Sequence, residues 1–255
     1  TIIKNPYKIT FSNTCMDYEE FRKNISHKII EKLEWRDLAT FVPNKRLSIY
    51  NWFYYKEGFA KELVEKLIGM FDIGHNNIVL DPFCGAGTTL LACKQNRIES
   101  IGYDVLPISV FASRVKTADY GIEKLQESAK LITRARFIEL NTKGIFPSLF
   151  YRAFSKYALQ DILFLMEEIK KLDPEVREFF TLALITTSLK CSYARKDGSI
   201  IKIRRKPVAP LRKMYRRTIT RMIKDLEKSA MPNTKGTIEL NDARRLSIDD
   251  ETMDA

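Results

Sequence analysis

Histidine is scarce in this sequence, with only His27 and His75, and the four cysteines (Cys15, Cys84, Cys93, Cys191) are scattered without a CxxC pair. A structural zinc site needs four Cys or His ligands at close spacing, so no metal site is expected. The thiols are expected to be reduced, as in a cytoplasmic protein. No apolar run approaches the roughly 20 residues that cross a bilayer, and residues 1–10 lack the apolar stretch and small-residue cleavage site of a secretory signal. A membrane partner and a secreted disulfide scaffold are thereby set aside. Internal repeats and low-complexity tracts are absent. Proline occurs nine times but never as a Pro-Pro pair. The chain also opens on Thr1 rather than Met, so further residues are expected before it.

What is present is a chain of 255 residues, 45% hydrophobic, enough for one large domain or for a domain carrying a substantial insertion. Its charge is unevenly placed. The 39 residues from Lys190 to Lys228 hold 14 Lys and Arg against 3 Asp and Glu, whereas the remainder is balanced at 29 of each. The whole net charge of +11 therefore lies in one stretch, the footprint of a surface for a polyanion. A solvated basic face, and a helix that docks on a missing part of the protein with its bases paired to acids there, are the competing readings.

Three regions follow from the hydrophobic periodicity. Residues 1–75 carry an aromatic cluster (Tyr50, Trp52, Phe53, Tyr54, Tyr55, Phe59) and then a helical stripe of Phe59, Leu63, Leu67 and Met70, widened by Val64 and Ile68, with Gly74 as the turn. Residues 76–119 read strand, glycine turn, helix, strand, helix. Asn77–Asp81 is a short apolar run ending in an acid, Glu99–Asp104 is a second, and a helix is expected over 108–116. This is the opening of a doubly wound α/β sheet. Residues 120–235 read as helices without a strand. They include a stripe of Leu159, Ile162, Leu163, Met166, Ile169 and Leu172, an N-cap at Asp173 with Pro174 behind it, a polar basic loop over 194–208, and a basic amphipathic helix from about 210 to 228. The sheet pattern resumes at Gly236–Leu240, and Met253–Ala255 reads as the start of a fourth strand.

Gly85-Ala-Gly87 alone is weak evidence. With Asp104 about 20 residues on it would also suit a dinucleotide fold, although that fingerprint wants a third glycine where Leu90 stands. The whole string Asp81-Pro82-Phe83-Cys84-Gly85-Ala86-Gly87-Thr88-Thr89 is more specific. It resembles the first motif of the S-adenosylmethionine-dependent DNA methyltransferases that modify exocyclic amino groups. Gly102-Tyr103-Asp104 resembles their second motif, Asn241-Asp242-Ala243-Arg244 their third, and Tyr54–Leu67 the segment that precedes the first. The resemblance covers about 50–117 and 236–255, and the helical region between them only loosely.

The resemblance implies a Rossmann-like class I methyltransferase sheet with a large helical, basic insertion over 120–235, the sheet being incomplete in this stretch. It implies S-adenosylmethionine as cofactor, held by Asp81, Pro82, Phe83, Cys84, Gly85, Gly87, Thr88, Thr89, Asp104, Val105, Asp242, Ala243 and Phe59. In that reading Gly85 and Gly87 admit the cofactor without a Cβ clash, and Asp104 accepts from the ribose hydroxyls. Asp242 accepts from the adenine amino group, and Asp81 faces the cofactor's cationic groups. Simpler roles compete: Asp104 capping the next turn, Asp242 as a turn aspartate, Cys84 as filler. Duplex DNA is the expected partner, its target base flipped out. Its phosphates are expected to meet Arg195, Lys202, Arg204, Arg205, Lys206, Arg212, Arg216 and Arg217. A prokaryotic, nucleoid-associated enzyme of a restriction-modification system is implied.

Members of that family engage the target amino group with an Asp/Asn/Ser-Pro-Pro-aromatic string after the fourth strand. This sequence contains no Pro-Pro pair, so no catalytic residue is assigned in it. The motif is expected on a missing C-terminal segment or a second chain, and the 255 residues alone are expected to be inactive. An RNA methyltransferase acting on a guanine amino group, whose turn is closely similar, and a non-catalytic cofactor- or DNA-binding subunit are the alternatives.

Overall fold

The computed structural model describes residues 10–11, 14–15, 32–197, 200–229, 231–246, 248 and 253. Packing divides the chain into Thr1–Asp37 and Leu38–Ala255. In the first unit, β1 (Thr10–Phe11) pairs antiparallel with β2 (Thr14–Cys15). The second unit holds the aromatic cluster, the sheet and the helical region together.

The apolar runs form strands where expected. β3 (Ile78–Asp81), β4 (Glu99–Asp104) and β7 (Gly236–Leu240) make a parallel three-stranded sheet in the order β3-β4-β7. Parallel neighbours need a crossover. The first is the glycine turn with α2 (Thr88–Gln95), and the second begins with α3 (Pro107–Thr117) and runs on through the whole helical region. Helix α1 (Lys61–Met70) precedes the sheet and packs on α2. Only Val64 of its expected stripe is buried; Leu67 and Met70 are exposed. The helix also stops at Met70, because Asp72 turns through a positive φ of 52°, and Gly74 closes the following turn by donating its N–H to the Asn77 side chain.

The helical region comprises α4 (Ile122–Arg134), α5 (Ser148–Ala153), α6 (Lys156–Lys170), α7 (Pro174–Lys190) and α8 (Leu211–Lys228). Asp173 caps α7 by accepting from the Glu175 N–H, with Pro174 at its first turn. α8 buries Leu211, Tyr215, Ile219, Met222 and Ile223, the face its period specifies. In α6, Phe164 and Leu165 are buried while Met166 is 40% exposed, so the buried face is wider than the stripe. The 194–208 stretch is not all loop: β5 (Ala194–Asp197) and β6 (Ile200–Ile203) form an antiparallel hairpin. The β-branched Ile200, Ile201 and Ile203 favour extended backbone even among bases. Met253 lies in no strand, and the other residues of the expected fourth strand, Asp254 and Ala255, lie outside the described residues.

The aromatic cluster and the helical region share one core. Trp52 is fully buried, edge-on to Phe179. Its indole N–H donates to the Asp225 carboxylate on α8 at 2.9 Å, and its carbonyl accepts from the Thr186 hydroxyl on α7 at 2.7 Å. One residue thus closes contacts across more than 130 residues of sequence, and it seats the 49–55 segment beside the glycine turn.

Candidate functional site

The turn between β3 and α2 is built by conformations that glycine alone adopts readily. Gly85 and Gly87 have φ of +50° and +75°, and Gly87 is the left-handed N-cap of α2. That conformation costs an ordinary residue about 1–2 kcal/mol. Space is a second reason, and it differs from the expected one. A Cβ on Gly85 would lie 2.9 Å from the ring of Tyr55, and one on Gly87 2.7 Å from Ser113 Oγ. The absent side chains make room for protein neighbours here, rather than only for a ligand.

Asp104 ends β4 and is buried. One carboxylate oxygen accepts from the Gly85 N–H at 2.9 Å, the other from the Leu106 N–H at 2.8 Å. It therefore caps its own turn and clasps the glycine turn, and an ionised carboxylate retains further acceptor sites after two such bonds. Asp81 accepts from the Phe83 N–H and the Thr89 hydroxyl. Burial raises its pKa, the two hydrogen bonds oppose that, and the nearby Asp104 charge adds to the rise. Cys84 is buried, its thiol pushed up to about 12 by burial, which fits a packing role better than a nucleophile. Thr88 is buried at the start of α2.

Beside this polar clasp, at the carboxyl ends of the strands, Phe83 is 75% and Val105 61% exposed, with Leu106 also open. An open α/β sheet binds ligands at this end. A cleft of about 500 Å³ lined by Lys94, Ser100, Arg114, Thr117 and Gly236 lies instead towards the amino ends of β4 and β7, the wrong end for such a ligand. Asp242 follows β7 in a turn whose carboxylate bonds the Arg244 backbone and guanidinium, which hold its pKa down at about 2. Ala243 shares that turn. Phe59 precedes α1, and its carbonyl accepts from the Asn44 side chain.

Three supporting residues had no role in the sequence reading. Tyr55, one of the aromatic cluster, covers Gly85. Ser113 donates to the Gly85 carbonyl at 2.8 Å. Lys116, one helical turn on, is buried and donates to the carbonyls of Ala86 (3.0 Å) and Phe53 (3.5 Å), with the Phe41 ring 5.9 Å away. Burial alone pushes its pKa down to about 7. A lysine on the apolar face of α3, four residues after Ala112, was the available signal.

The basic segment is a different kind of surface. Arg195, Arg204 and Arg205 are exposed, Lys206 is half-buried, and Arg195 stands directly across the hairpin from Lys202. On α8, Arg216 and Arg217 are exposed and line a shallow depression of about 510 Å³ with Lys213, Thr220, Arg221 and Lys224. Arg221 belongs there too, two of its guanidinium nitrogens being buried without a hydrogen-bond partner among the described residues. Arg212 is occupied otherwise. It pairs with Asp161 at 2.8 Å and stacks 4.3 Å from the Phe137 ring centre, so its charge is engaged within the chain. Among the described residues there is no cluster of metal-ligating side chains and no helix long and apolar enough to cross a membrane; Cys84, Cys93 and Cys191 are free.

Comparison with known proteins agrees with this arrangement. Residues 3–108 match a DNA methylase family model of the N6/N4 type. The chain is 33% identical over 202 residues to the Type II methyltransferase M.BsoBI of Geobacillus stearothermophilus, a match covering 74% of this chain and 40% of that protein. It is 27% identical over 231 residues to the Type II methyltransferase M.AvaI of a Nostoc species, covering 78% and 45%. With the Type II methyltransferase M.MjaII of Methanocaldococcus jannaschii it shares 33% identity over 129 residues, covering 49% and 22%. The chain thus spans less than half the length of these relatives. No solved structure shows a significant match. With the Asp81–Thr89 turn, the Asp104 clasp and the parallel sheet behind them, the chain is similar to the amino-group (N6/N4) DNA methylases.

Proposed function

We propose that this chain is the cofactor-binding portion of an enzyme that transfers a methyl group from S-adenosylmethionine to the exocyclic amino group of adenine or cytosine in DNA. The observation that carries the reading is the Asp81–Thr89 turn held by Asp104 at the carboxyl end of a parallel sheet. The residues present fit the cofactor. Asp104 keeps acceptor capacity for ribose hydroxyls. Phe83 and Val105 offer exposed apolar surface to a purine. Asp81 and Asp104 supply negative charge, which suits a cation. Gly85, Gly87, Thr88 and Thr89 shape the turn around it, with Pro82 and Cys84 between them. The cofactor brings an electrophilic methyl group on a sulfonium. Asp242 and Ala243 stand after β7, where the family's third motif meets adenine; for Asp242 this requires that Arg244 release part of the carboxylate.

The sheet is the first half of a Rossmann-like, doubly wound fold in this reading, and the helical region is its insertion. The bases of the hairpin and of α8 contact DNA, and those that meet its phosphates set affinity and register but little sequence preference. The target base is flipped into a site completed by a Pro-Pro-aromatic segment, whose polar side chain and carbonyl accept from the amino group. That segment is absent from the 255 residues and is carried by a C-terminal stretch or a second chain, in a cytoplasmic, nucleoid-associated, restriction-modification setting. Tritium transfer to DNA tests the proposal. The protein carrying this chain together with such a segment is expected to label the amino group of adenine or cytosine, and the 255 residues alone to label nothing. Label on cytosine C5 or on RNA guanine would contradict it.

A further inference from the structure

The hairpin is the part of the basic segment whose form exceeds what phosphate binding requires. Its base is fixed: Tyr193 N–H and Ser192 Oγ both donate to the Ala153 carbonyl at the end of α5, and Cys191 and Ser192 are buried. Beyond that anchor neither strand packs extensively on any other element among the described residues. Side chains alternate across a strand, so the register Arg195↔Lys202, Asp197↔Ile200 assigns Arg195, Asp197, Ile200, Lys202 and the next residue of that parity, Arg204, to one face. Arg195, Lys202 and Arg204 are exposed there, and Ile200 is 64% exposed. An exposed isoleucine gains nothing from phosphate.

Helix α8 is built the other way. Its inner face is committed to the core through Tyr215, Ile219 and Met222, and its outer face shows long bases with one threonine. That surface suits a phosphate backbone. A two-stranded ribbon, by contrast, is one of the two elements that the roughly 12 Å wide major groove of B-DNA admits. Inside it, an arginine can bond guanine O6 and N7 as a fork, and an apolar side chain can meet the thymine methyl.

Building on the DNA reading above, we propose that the β5–β6 hairpin enters the major groove of duplex DNA and reads base edges through Arg195 and Ile200. The α8 face, in this division, tracks the phosphates without reading sequence.

Selection of bound duplexes from a randomised pool by the 255-residue chain tests this. The parent, Ile200→Ser/Arg195→Gln and Arg216→Gln/Arg217→Gln are compared, each checked for an unchanged melt. The parent is expected to enrich a short consensus. The hairpin variant should bind the unselected pool within about threefold of the parent but lose preference at one to three adjacent positions, where the wrong base had cost roughly tenfold or more. The α8 variant should weaken on every sequence and keep the consensus. An unchanged consensus in the hairpin variant, or a loss spread evenly over all sequences, would overturn the inference. So would a parent that binds every duplex alike, or one that binds A-form RNA duplex equally well, because that helix has a major groove too narrow to enter. No duplex binding by the parent would overturn it together with the DNA reading, whereas cofactor binding would then still stand.

Discussion

The glycine turn and the basic segment both concentrate charged residues, but they use them in opposite ways. Around the turn, the charges are buried and committed inward: Asp104 to two backbone N–H groups, Asp81 to Phe83 and Thr89, Lys116 to two carbonyls. Along the hairpin and α8, most are exposed. Charge in the first region shapes a rigid cradle, and charge in the second faces mostly outward. Substitutions should therefore register as stability and cofactor binding in one region, and as salt-dependent nucleic-acid binding in the other.

The largest effect is expected where the cradle has no room. Gly87→Ala combines a left-handed φ with a Cβ 2.7 Å from Ser113 Oγ and 3.0 Å from its Cα. A loss on the order of 2–4 kcal/mol is expected from strain and overpacking together, read as a lower urea midpoint. A melt within experimental error of the parent would show that the turn yields easily and that the cradle is not rigid.

Lys116 sharpens the contrast through pH. Its folded pKa, about 7, lies below its unfolded value of about 10.5. The unfolded chain therefore binds more protons between those values, and the cost of the buried charge, full below pH 7, is relieved as pH rises. Stability should climb from pH 7 towards 10 by up to about 1.4 kcal/mol per pH unit from this group. The difference between parent and Lys116→Met should carry that slope. Parallel stability curves for the two proteins would show that Lys116 keeps its proton in the folded state across this range, as a solvated ammonium does.

Within the basic segment the same contrast recurs on a smaller scale. Arg212→Ala removes the Asp161 pair and the Phe137 stack and should cost about 1–2 kcal/mol of stability. Arg216→Ala/Arg217→Ala should move stability by less than about 0.5 kcal/mol, yet flatten the log affinity against log salt plot on duplex DNA by about 0.9 per lost contact. Exchange of these outcomes between the two variants would reverse the division drawn on α8.

Much of the fold was legible because its signals are local. Asn77–Asp81, Glu99–Asp104 and Gly236–Leu240 are short segments bounded by turns, and each contains a strand of the sheet. Pro174 and the spacing of Leu211, Tyr215, Ile219 and Met222 likewise fixed α7 and α8. What escaped depends on contacts distant in sequence. The hairpin's isoleucines were read as part of a basic loop, since alternation is masked where both faces carry bases. α1 shows a helical stripe that the described structure leaves half open. At the site, the turn and Asp104 were legible as a string. Tyr55 above Gly85 and Lys116 against Ala86 were not, because their partners lie about 30 residues away. Nor could periodicity reveal that Arg212 spends its charge on Asp161.

The central claim is that the turn and Asp104 form a cofactor site, and calorimetry on the 255-residue chain tests it most directly. S-adenosylmethionine should bind the parent and bind Asp104→Ala at least about tenfold more weakly, as loss of a charged hydrogen-bond acceptor implies. Asp104→Asn should fall between the two. Equal affinity in parent and Asp104→Ala, or binding of a nicotinamide dinucleotide with none of S-adenosylmethionine, would contradict the account.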